Sequence, residues 1–236
     1  MKVRHLVLAG ALLAAAAPAL AFIPSVSVLL HRAALRVNEG SRNRDVTLSG
    51  TLQVGDAAPV PRVLALRFPL SCRFEGGGAQ ARGTVAQPLP SSAAGNPEQE
   101  LIELACPLIA YRGLRTADAE TALGAVAAIA GADLGAAAAY DRLGDRVAFV
   151  VGAPARQPDR PQLWLYKDTH APARLIVRRE GHLEDLRLLE YGNPAAADWF
   201  PRILELFRDG KPSARFEVLE TRGFRETGED EDDDRE

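Results

Sequence analysis

The chain has 236 residues, 47% hydrophobic and 25% charged, with 28 basic and 31 acidic side chains and two cysteines. That length supports one sizeable domain with its own core and argues against a small scaffold dense in disulfides. Near-balanced charge, with no basic stripe interleaved with aromatics, argues against nucleic acid as a partner.

Residues 1–21 read as a secretory signal. Lys2 and Arg4 make a positive start, residues 6–17 are an apolar run, and Pro18-Ala19-Leu20-Ala21 ends in an A-x-A site. The run is short for a span of roughly 20 residues, so cleavage after Ala21 is expected rather than retention as an anchor. No cysteine follows the site, which excludes lipid attachment there. The Ala-rich, Arg-heavy composition points to a bacterium, and hence to a periplasmic mature chain with a single domain at 22–225.

Ser25 or Ser27 can cap a helix through about residue 37, with Val28, Leu29 and Leu35 at helical spacing. In "VTLSGTLQV" Val46, Leu48, Gly50, Leu52 and Val54 share one face, which predicts a strand wet on the other side. "VLALRFPLSCRFE" predicts a strand kinked at Pro69. A Gly-rich turn, a short strand "ARGTVAQ" and a loop follow, and "LIELACPLIAY" reads as a further strand interrupted by proline. Thr116 opens a long helix, with Leu123, Val126, Ala127, Ile129 and Ala130 as its apolar stripe.

From Tyr140 onward, segments of five to nine residues alternate with turns rich in Gly, Pro, Asp and Asn. This predicts an antiparallel meander, with Asp209-Gly210 as the strongest hairpin signal. The fold class is therefore α+β: about ten strands in a curved antiparallel sheet, with no βαβ alternation. Residues 226–236 hold eight acids and one arginine and predict a disordered, solvated tail. Without the signal and this tail, residues 22–225 carry 25 basic and 23 acidic side chains.

No catalytic signature is present. His31, His170 and His182 have no metal-ligand spacing, and the last two read as polar turn residues. No serine sits in a G-x-S-x-G elbow, and "EGGGAQ" lacks the Lys-Ser/Thr and the helix that would hold phosphate. Glu184 and Asp185 are adjacent on a strand, so they face opposite ways. No enzyme activity, metal or cofactor is expected. Cys72 and Cys106 lie far from any histidine in sequence, and in an oxidising compartment a structural disulfide is expected rather than two buried thiols.

The most informative stretch is "RPQLWLYKDTHAPARLIV", residues 160–177. Leu163 and Leu165 share one face and can pair with Leu175 and Val177, while Trp164, Tyr166 and Ile176 occupy the other face. Leu186, Leu188, Phe216 and Val218 extend the aliphatic set, so a strongly twisted sheet would curl around them and need its hollow filled.

Residues 141–218 resemble the C-terminal half of the LolA/LolB superfamily of lipoprotein carriers. The resemblance lies in a strand ending at Gly152, then "QLWLYKDTHAPARL", then "YGNP…WFPRILELFRDGKP" with its aromatic-Pro strand and Asp-Gly turn. It covers about a third of the chain well and the rest in outline, through the leading helix and "LALRF". It implies an unclosed β-barrel with covering helices and acyl-chain binding without covalent chemistry. The expected ligands are lipid or lipoprotein acyl chains, with transient membrane contact. Ligand-lining candidates are Leu66, Phe68, Leu163, Leu165, Leu175, Val177, Leu186 and Leu188, although each also fits a plain core position. The alternative is an envelope sensor or scaffold that binds another periplasmic or membrane protein through Trp164, Tyr166 and Ile176.

Overall fold

A computed structural model describes residues 23–35, 43–68, 71–76, 80–82, 95–192 and 199–225. The signal at 1–21 and the acidic tail at 226–236 lie outside the described residues, as does the end of the strand expected in "ARGTVAQ".

Helix α1 (Val26–Leu35) starts at Ser25, whose Oγ accepts from the Val28 N–H at 3.5 Å. It buries Val26, Leu29, Leu30, Ala33 and Ala34 and leaves Val28 and Leu35 exposed. Strands β1 (Asn43–Val54), β2 (Val60–Arg67), β3 (Ser71–Glu75) and β4 (Gln80–Arg82) follow. Helices α2 (Pro97–Ala110) and α3 (Thr116–Ile129) flank a tight 3-10 turn, Tyr111–Gly113. The meander then runs through β5 (Ala139–Leu143), β6 (Arg146–Val151), β7 (Gln162–Tyr166), β8 (Pro172–Arg179), β9 (His182–Tyr191), β10 (Pro201–Arg208) and β11 (Lys211–Arg225).

All eleven strands form one antiparallel sheet in the order β4-β3-β2-β1-β11-β10-β9-β8-β7-β6-β5. Among the described residues β4 and β5 are the two edges and do not pair, so the sheet is an unclosed barrel, as the resemblance implies. This topology accounts for the placement of the helices. The chain leaves one edge at Arg82 and resumes at the other at Ala139, so the connection must cross the whole sheet. Crossing on the concave side buries two apolar surfaces at once.

The registers expected from alternation are present. Leu163 faces Leu175, Leu175 faces Leu186 and Leu186 faces Leu206. Leu204, Phe216 and Leu52 continue across β10, β11 and β1, and Leu64 and Phe74 pair beyond them. Asp209 (φ 49°) and Gly210 (φ 77°) form the two-residue turn between β10 and β11, the left-handed pair that matches strand twist. Gly50 sits where β1 and β11 slip register, and a Cβ there would lie 2.0 Å from the Glu217 carbonyl oxygen, so no other residue fits without moving backbone.

The expectation for "LIELACPLIAY" is overturned: it is helix α2, not a strand. The Asn96 side chain accepts from the Glu98 and Gln99 N–H groups, Pro97 stands at the first helical position, and Glu98 and Glu100 lie in the first turn. Pro107 is accommodated near the C-terminal end. Cys106 on this helix is bonded to Cys72 on β3, with their Cα atoms 5.8 Å apart. Among the described residues no helix is long and apolar enough to cross a membrane.

Candidate functional site

The eight aliphatic and aromatic candidates do converge. Leu66, Leu163, Leu165, Leu175, Val177, Leu186 and Leu188 point into one hydrophobic core, with half-buried Phe68 packed at its margin. They meet helices there rather than a void. Leu163, Leu165, Leu175, Leu186 and Leu188 are each 0% exposed, so no space large enough for a water molecule adjoins them. Leu101, Leu104 and Leu108 of α2 and Leu123 and Ala127 of α3 belong to the same cluster. The chain's own helices thus fill the hollow, and these eight residues form core as the protein stands.

The residues of the expected partner face are covered in this chain. Trp164, Tyr166 and Ile176 lie on the convex side, yet they are 4%, 1% and 0% exposed. Polar side chains and a loop cover them. The Trp164 Nε1–H donates to Gln162 Oε1 at 2.8 Å, and the Arg174 guanidinium sits 4.8 Å from its ring centroid. The Tyr166 hydroxyl donates to the Leu188 carbonyl at 3.1 Å beneath the Arg146 guanidinium, and burial pushes its pKa up to about 12. Gln162 donates to the Gln157 carbonyl and Arg178 to the Asp159 carbonyl, folding the loop before β7 over this face. Ala148, Val150, Ala171 and Ala173 complete a second, small apolar cluster. Sequence alternation shows that two faces exist, but it does not show what lies over them.

Glu184 and Asp185 face opposite ways, as expected. Asp185 joins Arg174 at 2.6 Å and Arg187 at 2.9 Å on the convex side. Glu184 points inward into a buried charge network that sequence reasoning missed. Arg179 pairs with Glu184 at 2.7 Å and with Glu103 at 3.3 Å, while Arg208 pairs with Glu100 and lies 3.6 Å from Glu184. Glu100, Glu103 and Glu184 are all buried, so α2 is bonded to β8, β9 and β10 by charge in a low-dielectric setting. The signal was present as Glu100 and Glu103, spaced three apart in an apolar run, which is helical rather than strand periodicity. Of the histidines, His170 lies in the β7–β8 turn at φ 56° with its ring 5.7 Å from that of Phe149. His182 bonds Asp209 at 2.7 Å, and no cluster of three metal-ligating side chains occurs among the described residues.

Open space of useful size lies elsewhere. A groove of about 940 Å³ runs between residues 23–30, at the start of α1, and residues 134–138, just before β5. Every side chain along it is uncharged: Ile23, Val26, Val28, Leu30 and Leu134 give it apolar walls, and Ala136, Ala137 and Ala138 complete the lining. Its hydroxyls are engaged with each other, Ser25 Oγ lying 3.1 Å from Ser27 Oγ. Such a surface, mainly apolar and without charged side chains, favours a hydrocarbon over a charged substrate.

No family model and no curated protein match this sequence. Three solved structures are similar in chain path. An outer membrane lipoprotein-sorting protein domain from Vibrio parahaemolyticus matches with a TM-score of 0.45 and 11% identity, over 86% of this chain and 94% of that one. A DUF1329 family protein from Desulfovibrio piger gives 0.43 and 10%, over 87% and 95% of the two chains. A LolA superfamily protein from Nitrosomonas europaea gives 0.36 and 8%, over 80% and 92%.

Proposed function

We propose that this chain is a non-enzymatic binding or carrier protein of the bacterial envelope, handling acyl chains or the lipoproteins that bear them. The observation that carries the reading is the uncharged groove beside α1, which is large, apolar and open to solvent. Burying ten methylenes there is worth on the order of 8 kcal/mol, which suffices for reversible capture. The eight inward residues then serve as the floor beneath the helices, not as the first contact of the ligand. Periplasmic residence is supported by the Cys72–Cys106 bond, since such bonds persist in oxidising compartments. It is also supported by the signal pattern at residues 1–21. Transient contact with a membrane surface would follow from loading and delivery.

The test is uptake of a fluorescent long-chain fatty acid by delipidated protein beginning at residue 22, competed by a lipopeptide. Saturable binding at micromolar protein is expected. Val28→Asp and Ala137→Asp place a charge on exposed positions of the groove, so both should fold normally and lose most of the uptake. Absence of saturable binding in the parent protein would overturn the carrier reading. Uptake unchanged in both variants would remove the groove as its site.

A further inference from the structure

A second cavity, of about 90 Å³, lies at the far end of α2 and has the opposite chemistry. Its wall includes Tyr111 and Arg112 of the 3-10 turn, Arg146 of β6, Thr169 of the β7–β8 turn, Tyr191 at the end of β9, and Trp199. Arg112 is the unusual member: it is 8% exposed and stands among three aromatic rings. Its guanidinium carbon lies 5.9 Å from the Tyr111 centroid, 5.5 Å from Tyr191 and 5.7 Å from Trp199. Among the described residues no carboxylate forms an ion pair with it, and its charge acts on the neighbouring Tyr111 hydroxyl, opposing the rise that burial imposes.

The adjacent charges do not supply the missing anion. Asp168 is held by Arg146 through contacts of 2.7 and 2.8 Å. Burial pushes the Asp168 carboxyl up, and the hydrogen bonds and charge of Arg146 more than offset this, keeping it below the ordinary range and ionised. Of the two arginines that line the cavity, Arg146 is engaged by Asp168, and Arg112 has no carboxylate partner among the described residues. The Tyr191 hydroxyl is committed to the Pro172 carbonyl at 2.7 Å, and Thr169 Oγ1 accepts from the Ala171 N–H at 3.4 Å, which leaves its own hydrogen available. Aromatic faces recover part of the cost of desolvating a cation, but a buried guanidinium reaches full compensation only against an oxygen anion that takes its parallel N–H pair.

We infer that the Arg112 cavity is a binding site for one compact oxyanion group, a carboxylate or a phosphate, gripped by the guanidinium and framed by Tyr111, Tyr191 and Trp199. Its volume admits a small anion or the terminal group of a larger molecule and excludes an acyl chain or a nucleotide. The inference is independent of the groove, whose walls share no residue with this cavity.

The chain contains two tryptophans, Trp164 and Trp199, so a Trp164→Phe background makes Trp199 the sole reporter. Sodium phosphate and sodium acetate are titrated against sodium chloride at constant ionic strength. A saturable change in Trp199 emission is expected with at least one of the two oxyanions and not with chloride. Affinity should fall about tenfold or more in Arg112→Gln, the scale of a lost charged hydrogen bond. No saturable change with either oxyanion, or an undiminished response in folded Arg112→Gln, overturns the site. Should that variant fail to fold, thermal midpoints of the Trp164→Phe protein decide: a rise in phosphate or acetate over chloride supports the site, and equal midpoints overturn it. Vesicles of phosphatidic acid, with phosphatidylcholine as control, separate the sources. A Trp199 response to them that phosphate displaces assigns a lipid headgroup, and a response to soluble anion alone assigns a free one.

Discussion

Helices α2 and α3 cross the same hollow, are each 14 residues long, and are held by different forces. α2 packs directly on β3, β4, β9, β10 and β11, is capped by Asn96, is bonded through Cys106 to β3, and drives Glu100 and Glu103 into the arginines of the sheet. α3 has no side-chain cap, packs chiefly on α1 and α2, and buries mostly alanine around Leu123 and Val126. Among the described residues its polar tie to α1 is His31 to Glu120 at 2.9 Å, between two substantially exposed groups. One helix is thus fixed by covalent, ionic and apolar bonds together, and the other by thin apolar contact. If the hollow ever opens to a ligand, the movement belongs to α1 and α3, next to the groove, while α2 stays with the sheet.

The contrast breaks most severely at Arg179. Removing it leaves Glu103 and Glu184 buried together with fewer counter-charges, their side chains being only 5% and 4% exposed. Arg179→Ala should destabilise the fold by about 5 kcal/mol, the upper end for a broken buried pair because two carboxylates are stranded. Denaturant midpoints measure this, and a loss below about 1 kcal/mol would show that α2 is not anchored by charge.

Cutting the disulfide comes next. Cys72 and Cys106 are 34 positions apart, and closing such a loop stabilises by about 4 kcal/mol in the chain-entropy account. A Cys72→Ala/Cys106→Ala chain should therefore show a clearly lower thermal midpoint and keep its groove. An unchanged midpoint would mean that packing and the ion pairs hold α2 without the disulfide.

This contrast was only half legible in the sequence. The strands were readable because period-two alternation survives in β1, β7, β8 and β9, and Asp209-Gly210 fixes its hairpin locally. α3 was readable because nothing competes with its helical pattern. α2 was not, because an apolar run interrupted by Pro107 reads as a kinked strand, and the arginine partners of Glu103 and Glu100 arrive from 76 and 108 positions away. The local clue was Asn96-Pro97-Glu98, a helix-start signal that outweighs the strand-like run. Burial of Trp164 and Tyr166 was illegible for a related reason: their cover comes from a loop and from neighbouring arginines, which only tertiary structure brings together. The groove escaped notice because its two sides, residues 23–30 and 134–138, lie far apart in sequence and meet only in the fold.

Alkaline pH tests the anchored end of α2 from another direction. Tyr111 and Tyr191 flank Arg112 at the end of α2, Tyr166 packs edge-on against Tyr191 at 6.1 Å, and burial raises the pKa of all three, Tyr166 to about 12. An unfolded tyrosine ionises near 10, so the folded chain keeps its protons while the unfolded chain releases them. Stability is fully present below pH 10 and should fall as the pH rises from 10 through 12. Tyrosinate absorbance should appear together with loss of the fold rather than before it. Smooth ionisation of all four tyrosines near pH 10 in folded protein would show that this junction is loosely packed.

The smallest effect is predicted for the tie between α1 and α3. His31 is 52% and Glu120 is 35% exposed, so their contact is screened by water and salt, and Glu120→Gln should cost no more than about 0.5 kcal/mol. Its consequence for binding should be larger than its consequence for stability. If α3 is the helix that yields, weakening its His31–Glu120 tie to α1 should speed fatty-acid entry while leaving the unfolding midpoint nearly unchanged. Arg208→Gln, on the α2 side, should lower the midpoint without speeding entry. Stopped-flow uptake on the two variants separates the helices, and faster entry in Arg208→Gln alone would reverse their roles.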